Sequence, residues 1–156
     1  MDDRNHLLKE WYLEFAVGSV SNRGIINKAE YLPKIIQANK GREFYRSMFL
    51  YDESVNDYVK ENNSISNFKG TKYINTIILD IDLKGQAQGN ETIEHVLELV
   101  DVLNGKGIGN ELINVWFSGT GFHIHIPNVY QFQPSSDLDK IVRASIKRDF
   151  GEYVDI

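Results

Sequence analysis

Two apolar segments, about forty residues apart, carry titratable groups at every second position, and this pattern restricts the chain more than any other. They are Ile77-Ile78-Leu79-Asp80-Ile81-Asp82 and Val115-Trp116-Phe117-Ser118-Gly119-Thr120-Gly121-Phe122-His123-Ile124-His125-Ile126. Both read as buried strands. Side chains alternate between the faces of a strand, so Asp80 and Asp82 share one face, as do His123 and His125. Two carboxylates at the end of a core strand repel each other and are costly to desolvate. A divalent cation is the usual compensation, so the pattern reads as a metal site.

Composition narrows the class. The chain has 156 residues, 42% hydrophobic and 25% charged, which suits one folded domain with a sizeable core. It has no cysteine, which excludes disulfides, thiolate zinc and cysteine nucleophiles. No apolar run approaches a membrane span and the acidic start is no signal peptide, so the expected compartment is the cytoplasm (a host's, for a viral chain), with the nucleus left open. The net charge of −5 argues mildly against charge-driven nucleic-acid binding, but metals can offset carboxylates locally.

Along the chain, Asn5 to Val17 reads as an amphipathic helix stopped by Gly18, and Asn27 to Asn39 as a weaker helix interrupted by Pro33. Phe44 to Tyr51 reads as a strand, Glu53 to Lys60 as a short helix and Asn62 to Gly70 as a loop. Tyr73 to Asp82 is an expected strand, followed by a loop over Lys84 to Asn90. The next helix carries the stripe Ile93, Val96, Leu97, Val100 and Leu103 and ends at Asn104-Gly105-Lys106-Gly107. Leu112 to Ser118 and Phe122 to Ile126 form a hairpin around Gly119-Thr120-Gly121. Ser136 to Asp139 resembles a capping box opening a helix with Leu138, Ile141, Val142 and Ile146 inward. Gly151 breaks that helix, and Tyr153-Val154-Asp155-Ile156 begins a strand.

The fold class is therefore α+β. Residues 1–156 form a single domain, with an N-terminal α/β subregion over 1–70 and a ferredoxin-like (RRM-like) βαββαβ core over about 73–156, its last strand truncated. Right-handed crossovers put the first and third strands of the core together, with the fourth outside the first. Asp80 and Asp82 then lie beside His123 on one side and Asp155 on the other. Leu79, Ile81, Ile124, Ile126, Val154 and Ile156 point to the opposite, helix-covered face.

Each constellation also has a plainer reading. Asp80-Ile81-Asp82 suits two Mg²⁺ or Mn²⁺ ions, or a strand running out into a solvated loop. Ser118-Gly119-Thr120-Gly121 suits an anion nest of backbone N–H groups and hydroxyls, or simply a tight hairpin. His123-x-His125 suits phosphate contact by His123 with His125 supporting, or a zinc pair, or a surface histidine; without cysteine a structural zinc site is not expected. The basic, aromatic run Lys40 to Arg46 suits nucleotide contact or a solvated turn, while Arg143, Lys147 and Arg148 read as a solvated helix face.

Together these residues resemble the archaeo-eukaryotic primase superfamily, the primase-polymerases typified by the small catalytic subunit of primase. Asp80-Ile81-Asp82 matches its Asp-x-Asp strand, Ser118 to His123 its Ser-Gly-x-Gly-x-His hairpin, and Val154-Asp155 its apolar-Asp pair. Arg42-Glu43-Phe44 is similar to a segment preceding the core in primase small subunits. The resemblance covers roughly 42–156. It implies a DNA primase or primase-polymerase domain using two divalent ions, Mg²⁺ or Mn²⁺, and nucleoside triphosphates on a single-stranded DNA template. A helicase or accessory primase subunit is an implied partner, and a membrane is not. Asp80, Asp82 and Asp155 would be the catalytic metal ligands, and Ser118, Gly119, Thr120, Gly121 and His123 would bind the nucleotide. Thr120 stands where many members carry a basic residue, and the cysteine-based zinc element of some primases is missing. The chain stops one residue after Asp155, where members continue. The reading therefore expects an incomplete catalytic domain, whether a fragment, a truncated reading frame or the N-terminal part of a longer viral or plasmid-type replication protein, with metal binding and activity weakened or lost in the isolated chain. The rival readings are a metal-dependent phosphoesterase or nuclease, and a non-catalytic RRM-like single-strand binder.

Overall fold

A computed structural model describes residues 8–82, 89–119 and 121–154. The chain divides into two units, one of residues 1–74 with 133–138 and one of residues 75–132 with 139–156. The first is built on an antiparallel sheet of β1 (Tyr12–Val17), β2 (Ile25–Lys28), β3 (Phe44–Tyr51) and β4 (Lys72–Tyr73) in the order β2-β1-β3-β4. Helices α1 (Leu32–Ala38) and α2 (Val55–Asn62) complete it.

The helix expected from Asn5 to Val17 is instead strand β1, preceded by a 3₁₀ turn at Leu8–Glu10; residues 1–7 lie outside the described set. The cause is burial on both faces. Leu13, Phe15 and Val17 pack with Ala29 and Leu50 in one apolar cluster, joined by Leu32 and Ile35. Tyr12 packs against a second cluster of Tyr51, Val55 and Phe68. A strand covered on both sides loses its period-two alternation, and the continuous run mimics a helix. The second misread helix separates into β2, a 3₁₀ turn at Ala29–Tyr31, and α1 with Pro33 in its first turn. Proline is favoured there because the first N–H groups of a helix have no partner to lose. The expected strand from Tyr73 to Asp82 is also split: Lys72 and Tyr73 pair with β3, and a new strand starts at Thr76. Ser135 pairs with Lys72 through both backbone hydrogen bonds, returning residues 133–138 to the first unit.

The second unit contains β5 (Thr76–Asp82), β6 (Asn114–Phe117) and β7 (Gly121–Pro127) in the order β5-β7-β6, with α3 (Gly89–Gly105) and α4 (Leu138–Phe150). Both pairings are antiparallel. First and third strands are adjacent, as expected, and the element order β-α-β-β-α is present. Its buried apolar residues are Ile77, Leu79 and Ile81 of β5, Ile124 and Ile126 of β7, Val96, Leu99 and Leu103 of α3, and Val142, Ile146 and Phe150 of α4.

Two expectations need correction. The α3 stripe runs through Thr92, Val96, Leu99 and Leu103, while Ile93 and Leu97 are exposed, as is Ile141 of α4. The burying face is centred one residue away from the face with the most apolar side chains. Tyr153 and Val154 do not begin a strand either. Their N–H groups both return to the Phe150 carbonyl, so the chain winds on in a turn. His95 holds that turn through a 3.0 Å hydrogen bond between Nε2 and the Tyr153 carbonyl. The sheet therefore has three strands among the described residues; Asp155 and Ile156 lie outside them. No described helix is long and apolar enough to cross a membrane.

Candidate active site

On β5 and β7 one face carries the buried aliphatic residues and the other carries the polar ones, while β6 is exposed throughout. On β5 the burial alternates, with Ile77, Leu79 and Ile81 buried and Ile78, Asp80 and Asp82 more open. The β5–β7 register sets Ile78 opposite His125, Asp80 opposite His123 and Asp82 opposite Gly121. Across β7, Trp116 of β6 faces His123 and Asn114 faces His125. Asp80, Asp82, His123, His125 and Trp116 thus occupy one face of three paired strands.

Contacts follow from that register, because directly opposed side chains in an antiparallel pair have close Cβ atoms. His123 Nε2 lies 3.2 Å from Asp80 Oδ1, with side chains 41% and 48% exposed. The His123 and His125 rings stack with centroids 6.4 Å apart. Trp116, 59% exposed, leans toward His125 at 6.3 Å. Sequence reasoning placed His123 beside Asp80 and named Trp116 as the notable aromatic of the open face, and the structure sets Trp116 opposite His123. The usable signal was parity across the hairpin, since Trp116 pairs with His123 once the turn is fixed.

The Ser118–Gly121 hairpin has backbone reasons of its own. Ser118 N–H donates to the Gly121 carbonyl at 2.9 Å and closes the turn, so that N–H is not open to an anion. Gly119 has φ +96°, which disfavours any residue with a Cβ. A Cβ on Gly121 would sit 2.3 Å from the Ile81 carbonyl oxygen, so only glycine permits this approach of β7 to β5. Thr120 lies outside the described residues.

Among the described residues no group of three or more histidine, aspartate or glutamate side chains is gathered for a metal ion. Asp155, the expected third ligand, lies outside them. The two carboxylates that are present suit a hard cation. Mg²⁺ typically keeps several waters and takes one or two protein carboxylates, with substrate phosphates completing its shell.

The chain matches no protein-family model, no curated protein and no solved structure.

Proposed function

We propose that the chain is a DNA primase or primase-polymerase catalytic module, extending a strand on a single-stranded DNA template by nucleotidyl transfer. The observation that carries this reading is the pairing of Asp80 with His123 on the open face of β5 and β7, with Asp82 on the same face and the Ser118–Gly121 hairpin at the strand end. Carboxylates for cations and a histidine for phosphate meet where a triphosphate could lie.

In this reading a primer hydroxyl attacks the α-phosphorus of the incoming nucleotide and pyrophosphate leaves. Two divalent ions, when bound, supply charge neutralisation and a more acidic hydroxyl. Asp80 and Asp82 would hold those ions, with Asp155 the third ligand that the resemblance implies. His123 exchanges its Asp80 contact for a phosphate oxygen, stabilising charge that grows as the bond breaks. Ser118 offers its hydroxyl to the same phosphates, and Trp116 lies within reach of a base that would stack on it.

The test is nucleotide incorporation on a primed single-stranded DNA with Mg²⁺ or Mn²⁺. Asp80→Ala and Asp82→Ala are each expected to lower the rate by about a hundredfold or more. Undiminished incorporation by both variants would overturn the reading. Cleavage of a phosphodiester without any nucleoside triphosphate would favour a phosphoesterase, and strand binding indifferent to EDTA a non-catalytic module.

A further inference from the structure

The first unit holds a pocket of about 180 Å³ lined by Glu14, Phe15, Ala16, Val20, Arg23, Tyr45, Arg46 and Ser47. A register shift creates it. Leu13 pairs with Leu50 but Phe15 pairs with Arg46, so Glu14 alone on β1 opposes Ser47, Met48 and Phe49 on β3. The Glu14 N–H, deprived of a carbonyl partner, donates to Ser47 Oγ at 3.3 Å, and that hydroxyl donates to the Phe49 carbonyl at 2.6 Å.

The charges in this pocket do not balance. Glu14 Oε2 accepts from Arg23 Nη2 at 2.9 Å and its Oε1 from the Gly24 N–H at 3.0 Å, which occupies both oxygens. Arg46, half-buried, has no hydrogen-bond or ion-pair partner for its guanidinium among the described residues. Burial alone lowers its pKa from the ordinary arginine value. No buried side-chain nitrogen or oxygen among the described residues is both sealed from solvent and unpartnered, so the free guanidinium opens onto the pocket space. Two guanidinium groups against one carboxylate leave one positive charge unmatched.

We infer that this pocket is a binding site for a phosphate group, with Arg46 as its principal ligand and Arg23 as its second. A guanidinium fork matches the edge of an oxyanion, and a tetrahedral phosphate offers edges to two guanidinium groups where a carboxylate is used up by one. The flanking Phe15, Ala16, Val20 and Tyr45 give the pocket an apolar wall, which accommodates the body of a nucleotide carrying that phosphate. The inference does not depend on the activity proposed for the second unit.

Isothermal titration of the full chain in EDTA, with inorganic phosphate and with adenosine 5′-monophosphate, tests it. Arg46→Gln is expected to weaken phosphate binding at least tenfold, and Arg46→Lys several-fold, the loss typical of a charge-assisted pair. The urea midpoint of Arg46→Gln should not fall, because the arginine makes no bond that its removal would break. Arg143→Gln, on the exposed face of α4, should leave the affinity unchanged, which separates this pocket from a general loss of positive charge. Tighter binding of the nucleotide than of phosphate upholds the site as one for a nucleotide phosphate, and equal binding upholds it for the free anion. Unaltered phosphate affinity in Arg46→Gln overturns the inference, as does a wild-type chain that binds neither probe up to about 10 mM.

Discussion

Glu14 in the first unit and Asp80 in the second are both carboxylates on strands of antiparallel sheets, Glu14 on an interior strand and Asp80 on an edge strand, and their surroundings are opposite. Glu14 is 3% exposed, with one oxygen on Arg23 and the other on a backbone N–H. Asp80 is half exposed and meets a histidine across the sheet. The first carboxylate is satisfied by the fold and serves it. The second is held at a surface by a partner that can be exchanged, as a ligand-binding group requires. In the proposed reading, the difference between a structural and a functional carboxylate lies in exposure, the first sealed from water and the second open to it.

Removing the nitrogen-bearing side chain beside each carboxylate is the strongest way to break this comparison. Arg23→Ala leaves Glu14 buried with a single N–H donor, and truncating one partner of such a pair typically costs about 3 kcal/mol. His123→Ala leaves Asp80 in contact with water, with an expected change within about 0.5 kcal/mol. Urea unfolding measures both, with Trp11, packed 5.3 Å from Tyr73, reporting the first unit and Trp116 the second. Equal losses in the two variants would abolish the distinction.

Gly121 sharpens the comparison from the backbone side. Gly121→Ala forces a methyl toward the Ile81 carbonyl, and the strands must separate at the end that carries Asp82. An overpacking cost of about 1–3 kcal/mol is expected, seen as a lower midpoint in the Trp116 signal with the Trp11 signal unmoved. Gly119→Ala, strained only by its positive φ with open space around it, should cost about 1 kcal/mol. If the order were reversed, the hairpin glycines would owe their identity to something other than strand approach.

The second unit was more legible in the sequence than the first, for a physical reason. Its strands bury one face, so Asp80, Asp82 and His123 stand out at alternate positions against Leu79, Ile81 and Ile124, and parity alone sets the register. Strand β3 was legible to the residue as well, from its aromatic-rich run bounded by Gly41 and Asp52. Strand β1 was not, because both its faces are covered and Glu14 gives no sign from sequence that Arg23 and Gly24 will satisfy it. The turn at Tyr153 and Val154 was misread because Val and Tyr favour strands, whereas the carbonyl of Phe150 and the ring of His95 decide the outcome. The run Lys40 to Arg46 suggested nucleotide contact, but the pocket itself was hidden, since a three-residue against one-residue register shift leaves no mark in hydrophobic periodicity. Pairings distant in sequence had to be seen in the fold.

Asp52 is the smallest test, lying between the two extremes. Burial pushes its pKa up, but the Ser54 hydroxyl and the N–H groups of Thr71 and Ser54 outweigh that and hold it below the usual carboxylate value. A depressed folded-state pKa means that the ionised form stabilises the fold. That contribution is complete above the unfolded-state pKa of about 4 and fades as pH falls through the folded-state value. Asp52→Asn should therefore cost no more than about 1 kcal/mol at pH 7, the scale of a partly exposed turn and cap interaction screened by solvent. The gap between variant and wild type should close on acidification below about pH 4. Asp80→Asn, by contrast, is expected to change the urea midpoint little at either pH, because its half-exposed side chain is screened by solvent. A gap between Asp52→Asn and wild type that widens in acid would show that Asp52 is not held ionised by its donors, and would move it to the same class as Asp80.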